Sequence, residues 1–218
     1  MKRSIMRLAT LLVAAVASTA GAQSAFPSKP ITWVVPFPAG GGADGVTRAV
    51  ANRFSQLIGQ SVLVENRPGA SGIIAAQYVK QTPADGHTIM SVEQSVMLYN
   101  PEFYSKLPYD PKADLIPVTN LISAPLVLAV HPSFPANDFV EWVQQARSQP
   151  GKFNYAAPGR GLTHHLGMEA LKARLDLNIV EVQYKGIAPA LQDVIAGQLP
   201  MVMADSVVGL PNLRAGKL

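Results

Sequence analysis

Ile31-Thr32-Trp33-Val34-Val35-Pro36-Phe37-Pro38-Ala39-Gly40-Gly41-Gly42-Ala43-Asp44 is the stretch whose reading decides the fold. Ile31, Trp33, Val34 and Val35 form a short apolar run rich in β-branched and aromatic residues, as in an inner strand of a sheet covered on both faces. Pro36 and Pro38 end that strand. Gly40, Gly41 and Gly42 let the backbone turn tightly and place no Cβ between a ligand and the peptide groups. Beyond them Val46, Val50, Phe54, Leu57 and Ile58 make a helical stripe that stops at Gly59. Strand, glycine loop and helix start follow in the order of an anion site, with the helix dipole and its free N–H groups aimed at the loop. Asp44 reads as the cap of that helix. The plainer alternative, three glycines as a flexible connection, does not account for that order.

The chain has 218 residues, 48% of them hydrophobic, enough to bury the core of one large domain or two small lobes. Residues 1–22 have a basic start at Lys2, Arg3 and Arg7, an apolar centre from Leu8 to Ala17 and a small-residue end at Ala20-Gly21-Ala22. That is the pattern of a cleavable secretory signal peptide, and the apolar run is too short to span a bilayer comfortably. Its removal takes three positive and no negative charges, so the formal net charge falls from +4 to +1. The mature chain then has no basic stripe for nucleic acid. It contains no cysteine, which excludes disulfides, a lipid-anchoring cysteine and a zinc-thiolate site. A soluble, monomeric periplasmic protein is the expectation.

Outward from the opening stretch, residues 61–65 read as a strand, 66–72 as a second glycine-bearing turn, 73–81 as a helix and 87–92 as a third strand, which predicts a parallel α/β sheet. Residues 100–114, with three prolines and two tyrosines, read as an ordered loop. Strands are predicted over 116–121 and 126–130, and a helix over 138–149 with Asn137 as its cap. A boundary between two lobes, 23–122 and 123–218, falls in this region. The second lobe repeats the theme: a strand over 153–157, a glycine loop, and a helix from about His164 capped by Thr163. A strand over 178–184, a helix over 188–196 and a strand over 199–204 ending at Asp205 complete it. Loops at the carboxyl ends of strands are where open α/β sheets hold ligands, and two such half-sites facing each other make a cleft.

Catalytic chemistry is not indicated. His164 and His165 are neighbours on a helix and point about 100° apart, so they do not chelate one metal, and all four histidines read as structural. No metal site and no cofactor is expected. One rival stands: Gly40, Gly42 and Gly45 satisfy the dinucleotide fingerprint, with Glu65 twenty residues beyond Gly45. Against it, Pro36-Phe37-Pro38-Ala39 separates the strand from the first glycine. Arg160, between two glycines, is placed to fork onto a carboxylate or to face water, and Lys185 to add charge at a cleft or to face water. Glu93 and Gln94 follow the third strand. A carboxylate beside an anion site repels the ligand unless the ligand also carries a cation, so Glu93 is expected to meet an ammonium or other donor.

The segments Val34–Asp44 (VVPFPAGGGAD), Val64–Gly72 (VENRPGASG), Pro83–Thr88 (PADGHT), Leu107–Pro111 (LPYDP), Pro150–Gly161 (PGKFNYAAPGRG), Tyr184–Gly186 (YKG) and Ala215–Leu218 (AGKL) together resemble the substrate-binding proteins of tripartite tricarboxylate transporters, the Bug or TctC family. The resemblance runs through the whole mature chain. It implies a type II periplasmic binding protein fold, in which two α/β lobes close on a small carboxylate-bearing solute and deliver it to membrane permease subunits. It places ligand contacts at Phe37, Pro38, Ala39, Gly40, Gly41, Gly42 and Asp44, and at Gly159, Arg160, Gly161 and Thr163. Glu93, Gln94, Ser95, Lys185 and Asp205 are further contacts on the same basis. Leu162 stands where the family often has Ser or Thr, and Glu93 where it commonly has a small polar residue. Relatives continue past Leu218 to complete the first lobe, so a truncated chain with an incomplete first lobe is the expectation. A sensor read by a signalling receptor is the alternative to transport, and the dinucleotide-binding enzyme stands behind it.

Overall fold

The computed structural model describes residues 26–218. The expected signal peptide lies outside them. Strand β1 (Ile31–Val35) is the centre of a three-stranded parallel sheet, between β2 (Val62–Asn66) and β3 (Thr88–Met90). Val34 and Val35 are fully buried, as a strand paired on both edges and covered on both faces requires. Helix α1 (Gly42–Ile58) follows β1 and ends at a left-handed Gly59. Its buried face runs through Asp44, Thr47 and Ala51, while Leu57, expected inside, is 68% exposed. The inward polar residues are satisfied: the Thr47 and Ser91 hydroxyls lie 2.7 Å apart, and Trp33 Nε1 donates to the same Ser91 oxygen. That network fixes the end of β3, from which the chain continues to Glu93.

Helix α2 (Ile73–Lys80) joins β2 to β3. After β3 come a π-helical turn (Ser95–Tyr99) and the short helix α3 (Asn100–Phe103). The following loop is ordered by Tyr109 and Leu115, buried with Ala76 and Val96. The strand expected over 116–121 does not form, and Ile116 and Val118 are each 86% exposed. Apolar character was not enough, because no described strand lies beside this segment to receive its backbone hydrogen bonds.

The second sheet holds β4 (Leu126–Val130), β5 (Asn154–Ala157), β6 (Val180–Gln183) and β7 (Met201–Asp205) in the order β4-β7-β5-β6. β5 runs parallel to β6 and β7, whereas β4 is antiparallel to β7, so this sheet is mixed. Helices α4 (Phe139–Ser148), α5 (Thr163–Leu175), α6 (Ile187–Ile195) and α7 (Ser206–Arg214) cover it. The period-two alternation of β7 divides the core: Met201 and Met203 pack with Trp142, Tyr155 and Met168 on one face, Val202 and Ala204 with Ala156, Leu191 and Val194 on the other. Helix α7 was not anticipated.

Two caps differ from expectation by one residue. Helix α4 is capped by Asp138, which accepts from the Glu141 N–H at 2.8 Å, while the Glu141 carboxylate reaches back to the Asn137 N–H at 2.7 Å. Thr163 is the first residue of α5, whose cap position is Leu162. Asp138→Ala is expected to cost about 1 kcal/mol, seen as a melting temperature lower by roughly 2–4 °C. Asn137→Ala, which leaves the Asp138 cap and the backbone N–H in place, is expected to cost clearly less in the same melt.

Candidate functional site

Four helices begin at one place. α1 leaves the carboxyl end of β1, α5 that of β5, α6 that of β6 and α7 that of β7, and each contributes residues to one small cavity between the two sheets. Its lining includes the cap residue Gly41 and Ala43 at the start of α1, the cap residue Leu162 and His164 at the start of α5, Ile187 from α6 and Asp205, the last residue of β7 and the cap of α7, with Phe37, Pro38, Glu93 and Pro158. The carboxyl ends of strands are where open α/β sheets present helix amino ends to a ligand. Only α7 has its end met by a side chain, since Asp205 accepts from the Val207 and Val208 N–H groups. The starts of α1, α5 and α6 have no side-chain cap. Their first-turn N–H groups lack intrahelical partners and carry the positive ends of three dipoles, so the enclosed space favours an anion.

The glycine loop is braced from behind. Asp44 lies inside α1 rather than at its cap, because Gly41 holds the cap position and Asp44 is the third helical residue. Its buried carboxylate accepts from the Gly40 N–H at 2.9 Å, Asn66 Nδ2 at 2.9 Å and Arg48 Nε at 3.0 Å. Burial pushes this carboxyl up, but those donors outweigh it and hold it below the ordinary range. Asn66 also donates to the Phe37 carbonyl. Asp44 therefore shapes the loop from within, and the Gly40 N–H is already engaged.

The two halves meet in direct contact. Leu162 packs into Val35 and Phe37, the Ser71 hydroxyl donates to the Arg160 carbonyl at 2.6 Å, and a Cβ on Gly42 would lie 2.6 Å from Asp205 Oδ1. The cavity left is about 20 Å³, room for roughly one water molecule. This is a closed arrangement, with no room between the halves for anything larger than a water.

Glu93, His164 and Asp205 face this space. His164 is 5% exposed, its ring nitrogens are buried without a hydrogen-bond partner among the described residues, and its Nε2 lies 3.6 Å from Asp205 Oδ2. His164, read from the sequence as structural, thus stands in the cavity lining, a position for which neighbouring His165 offered no signal. Glu93 Oε2 is likewise buried and unpartnered. Burial pushes the Glu93 carboxyl up, with His164 pulling it down and Asp205 pushing it further up. Burial also works to raise Asp205, but the His164 ring and the α7 N–H groups hold it below the ordinary range.

The remaining expected contacts lie elsewhere. Ala39 and Gly40 are exposed at the loop tip, and Gly159 and Gly161 form the turn before α5. Thr163 Oγ1 lies 3.4 Å from Gln94 Oε1, and Ser95 is fully buried beside the site with its hydroxyl unpartnered. The Arg160 side chain is 80% exposed and turns toward Glu181, 3.8 Å away, and Lys185 is exposed. Glu65 pairs with Arg67 at 2.6 Å. His165, Glu169 and Glu181 bring donor atoms within 4.8 Å of one another, but Lys172 already neutralises Glu169 at 2.6 Å and His165 bonds Glu181 at 2.8 Å.

Residues 46–218 match the Tripartite tricarboxylate transporter family receptor. The chain belongs to the TctC family. A TctC relative, the UPF0065 protein in the tcbD-tcbE intergenic region of Pseudomonas sp. (strain P51), is 40% identical over 92% of this chain and 60% of its own length. Among solved structures, an R. palustris protein with adipate is 36% identical with a TM-score of 0.84, covering 88% of this chain and 64% of that one. MatC from Rhodopseudomonas palustris with bound malate is 31% identical with a TM-score of 0.77, covering 88% and 65%. The chain thus spans about three fifths of the length of the curated relative, and about two thirds of each of the two solved chains whose fold it shares.

Two outcomes follow from the closed geometry of this TctC chain. Gly42→Ala puts a methyl where Asp205 sits, so it is expected to hold the halves apart: a larger radius of gyration by solution scattering, at nearly unchanged stability, because Gly42 is not in a left-handed conformation. Glu93 has a raised folded pKa, so its ionisation lowers stability as pH climbs past its unfolded value toward the folded one. Glu93→Gln is therefore expected to raise the denaturant midpoint of the unliganded chain at pH 7 and to lose that advantage near pH 4, where the carboxyl is protonated in the folded protein. Denaturant unfolding at the two pH values reads this.

Proposed function

We propose that the chain is a periplasmic solute-binding protein that captures a small carboxylate-bearing organic acid and passes it to the permease subunits of a tripartite tricarboxylate transporter. The observation that carries this reading is the meeting of three uncapped helix starts at one enclosed cavity. Such a site offers backbone N–H groups to an anion, which fits a receptor. The two similar solved proteins, one with adipate and one with malate, support a carboxylate as the ligand class. In this reading residues 1–22 direct export, residues 23–122 and 123–218 act as the two lobes, and the protein works as a monomer. The carboxylate lies on the loops Phe37–Gly42 and Gly159–Thr163, and an ammonium or other donor on the ligand meets Glu93. Closure is a shift of population toward the arrangement in which both loops touch the acid.

A thermal melt of the mature chain with mono-, di- and tricarboxylates, acidic amino acids, aromatic acids and NAD tests this. A ligand at a hundred times its dissociation constant adds about 2.7 kcal/mol, hence a rise of roughly 5–10 °C for a domain of this size. The expected result is that rise with one class of carboxylate. A rise with NAD and with no carboxylate would overturn the reading in favour of a dinucleotide site.

A further inference from the structure

The peptide between Arg160 and Gly161 is held at its two ends by groups from opposite halves. Its carbonyl accepts from the Ser71 hydroxyl at 2.6 Å, and its N–H donates to His165 Nδ1 at 3.3 Å. An imidazole nitrogen that accepts carries no hydrogen, so the proton of a neutral His165 is on Nε2, which donates to Glu181 Oε2 at 2.8 Å. Ser71 is fixed from its own side. It lies in a turn where Gly69, Ala70, Ser71 and Gly72 all have positive φ, and the fully buried Asn100 donates to its carbonyl at 3.1 Å. Among the described residues the only other hydrogen bond between the halves is the longer one, 3.4 Å, between Thr163 and Gln94.

Protonation changes what the peptide meets. A hydrogen on Nδ1 turns that nitrogen from acceptor to donor, and the Gly161 N–H then faces another N–H. In a trans peptide the carbonyl and the N–H point opposite ways. Rotating this one therefore offers the ring the Arg160 carbonyl and takes that carbonyl from Ser71. The flanking residues permit the rotation: Gly159 and Gly161 have φ of +152° and +77°, where a side chain is disfavoured, and the Arg160 side chain is 80% exposed. The carbonyl serves Ser71 or an imidazolium, but not both.

The other charged groups that face the ring move with it. Glu169 and Lys172 are on α5, Glu181 is on β6 and Arg160 is in the loop, all in the second half, with the Tyr155 hydroxyl of β5 at 2.7 Å from Glu169 and 3.4 Å from Glu181. Burial works to raise the two glutamates, but hydrogen bonds from Lys172 and Tyr155 on Glu169, and from Gln183 and His165 on Glu181, hold both below the ordinary range. They stay ionised while an imidazole titrates, and they act on the ring alike whether the halves are together or apart. What closure adds is the grip of Ser71 on the peptide.

We propose that the Arg160–Gly161 peptide is a pH-read latch. With His165 neutral its carbonyl reaches Ser71 and holds the halves together; with His165 protonated it turns to the ring and releases them. The sign follows from linkage, since the closed form needs the unprotonated ring and acid therefore shifts the population toward the open form. The proposal adds regulation to the receptor reading and rests on it for what the closing serves.

The chain has no cysteine, so Gln56→Cys on α1 and Gln144→Cys on α4, both exposed, take a pair of spin labels, one on each half. Pulsed dipolar spectroscopy without ligand then gives the populations of short and long separations at about pH 7.5 and about pH 5, the interval in which imidazoles titrate. The expected result is an open-to-closed ratio about fivefold higher at the acid value, the weight of one neutral hydrogen bond. Ser71→Ala is expected to show about the acid ratio at both values, because nothing is left to release. His165→Gln, whose amide has an acceptor and a donor and does not titrate, is expected to keep the neutral ratio at both. Either variant serves if the other does not fold. Equal ratios in the wild type at the two pH values, or a pH response undiminished in either variant, would overturn the latch. Those outcomes leave the receptor reading standing, because no ligand takes part in the measurement. Failure of every carboxylate in the melt would overturn the receptor reading alone.

Discussion

The constraint on which the rest of the structure depends is electrostatic: helix amino ends brought together must be met by something negative. Parallel strands make the convergence unavoidable, because β1, β5, β6 and β7 each hand over to a helix at the same end of its sheet. The chain answers it in two ways. Asp205 turns back on its own helix and settles the start of α7, and Asp44 takes one N–H of the glycine loop. What is left open, at α1, α5 and α6, is open toward one cavity. The positions that come closest across that gap are glycines for the same reason. A Cβ on Gly186 would lie 2.6 Å from the Pro38 ring, as one on Gly42 would from Asp205.

Local pattern carried most of the fold. The run Ile31–Val35, the break at Pro36 and the stop at Gly59 are read in order along the chain, and the elements they predict are present. The failures share one cause, since each depended on something distant in sequence. Ile116 and Val118 have strand character but no neighbour to ladder with. The buried face of α1 is set by Thr47, a residue that looks solvent-facing until Ser91 is brought against it. Helix α7 hid behind Pro211, which lies inside it and reads as a breaker. Its start was nevertheless legible in Asp205-Ser206, a capping residue before an apolar run.

The candidate site was legible to the extent that it is made of backbone. Glycine loops announce themselves in a sequence, and residues of both line the cavity, Phe37, Pro38 and Gly41 from one and Pro158 and Leu162 from the other. Side-chain contributions were not legible in the same way. Arg160 had the chemistry of a carboxylate clamp, but Glu181 on the adjacent strand turns it outward. His164 had no distinguishing neighbour, and it is the fold that brings it to the cavity lining beside Phe37 and Leu162.

The contrast between those two residues bears on how such a receptor acquires selectivity. The backbone half of the site is tied to the fold itself, because moving a helix start means moving the strand that feeds it. In the proposed reading it meets the carboxylate common to many acids, and it is costly to alter. The side-chain half stands on different terms, since Glu93 follows a short three-residue strand and can change without disturbing the sheet. Keeping an ionisable carboxyl there, unpartnered and next to Asp205, works against the stability of the unliganded chain. Packing gives no reason for it, because an apolar residue of similar size would fill the same space without the desolvation cost. A buried group that weakens the resting protein and faces a cavity between its halves has its reason in what enters that cavity.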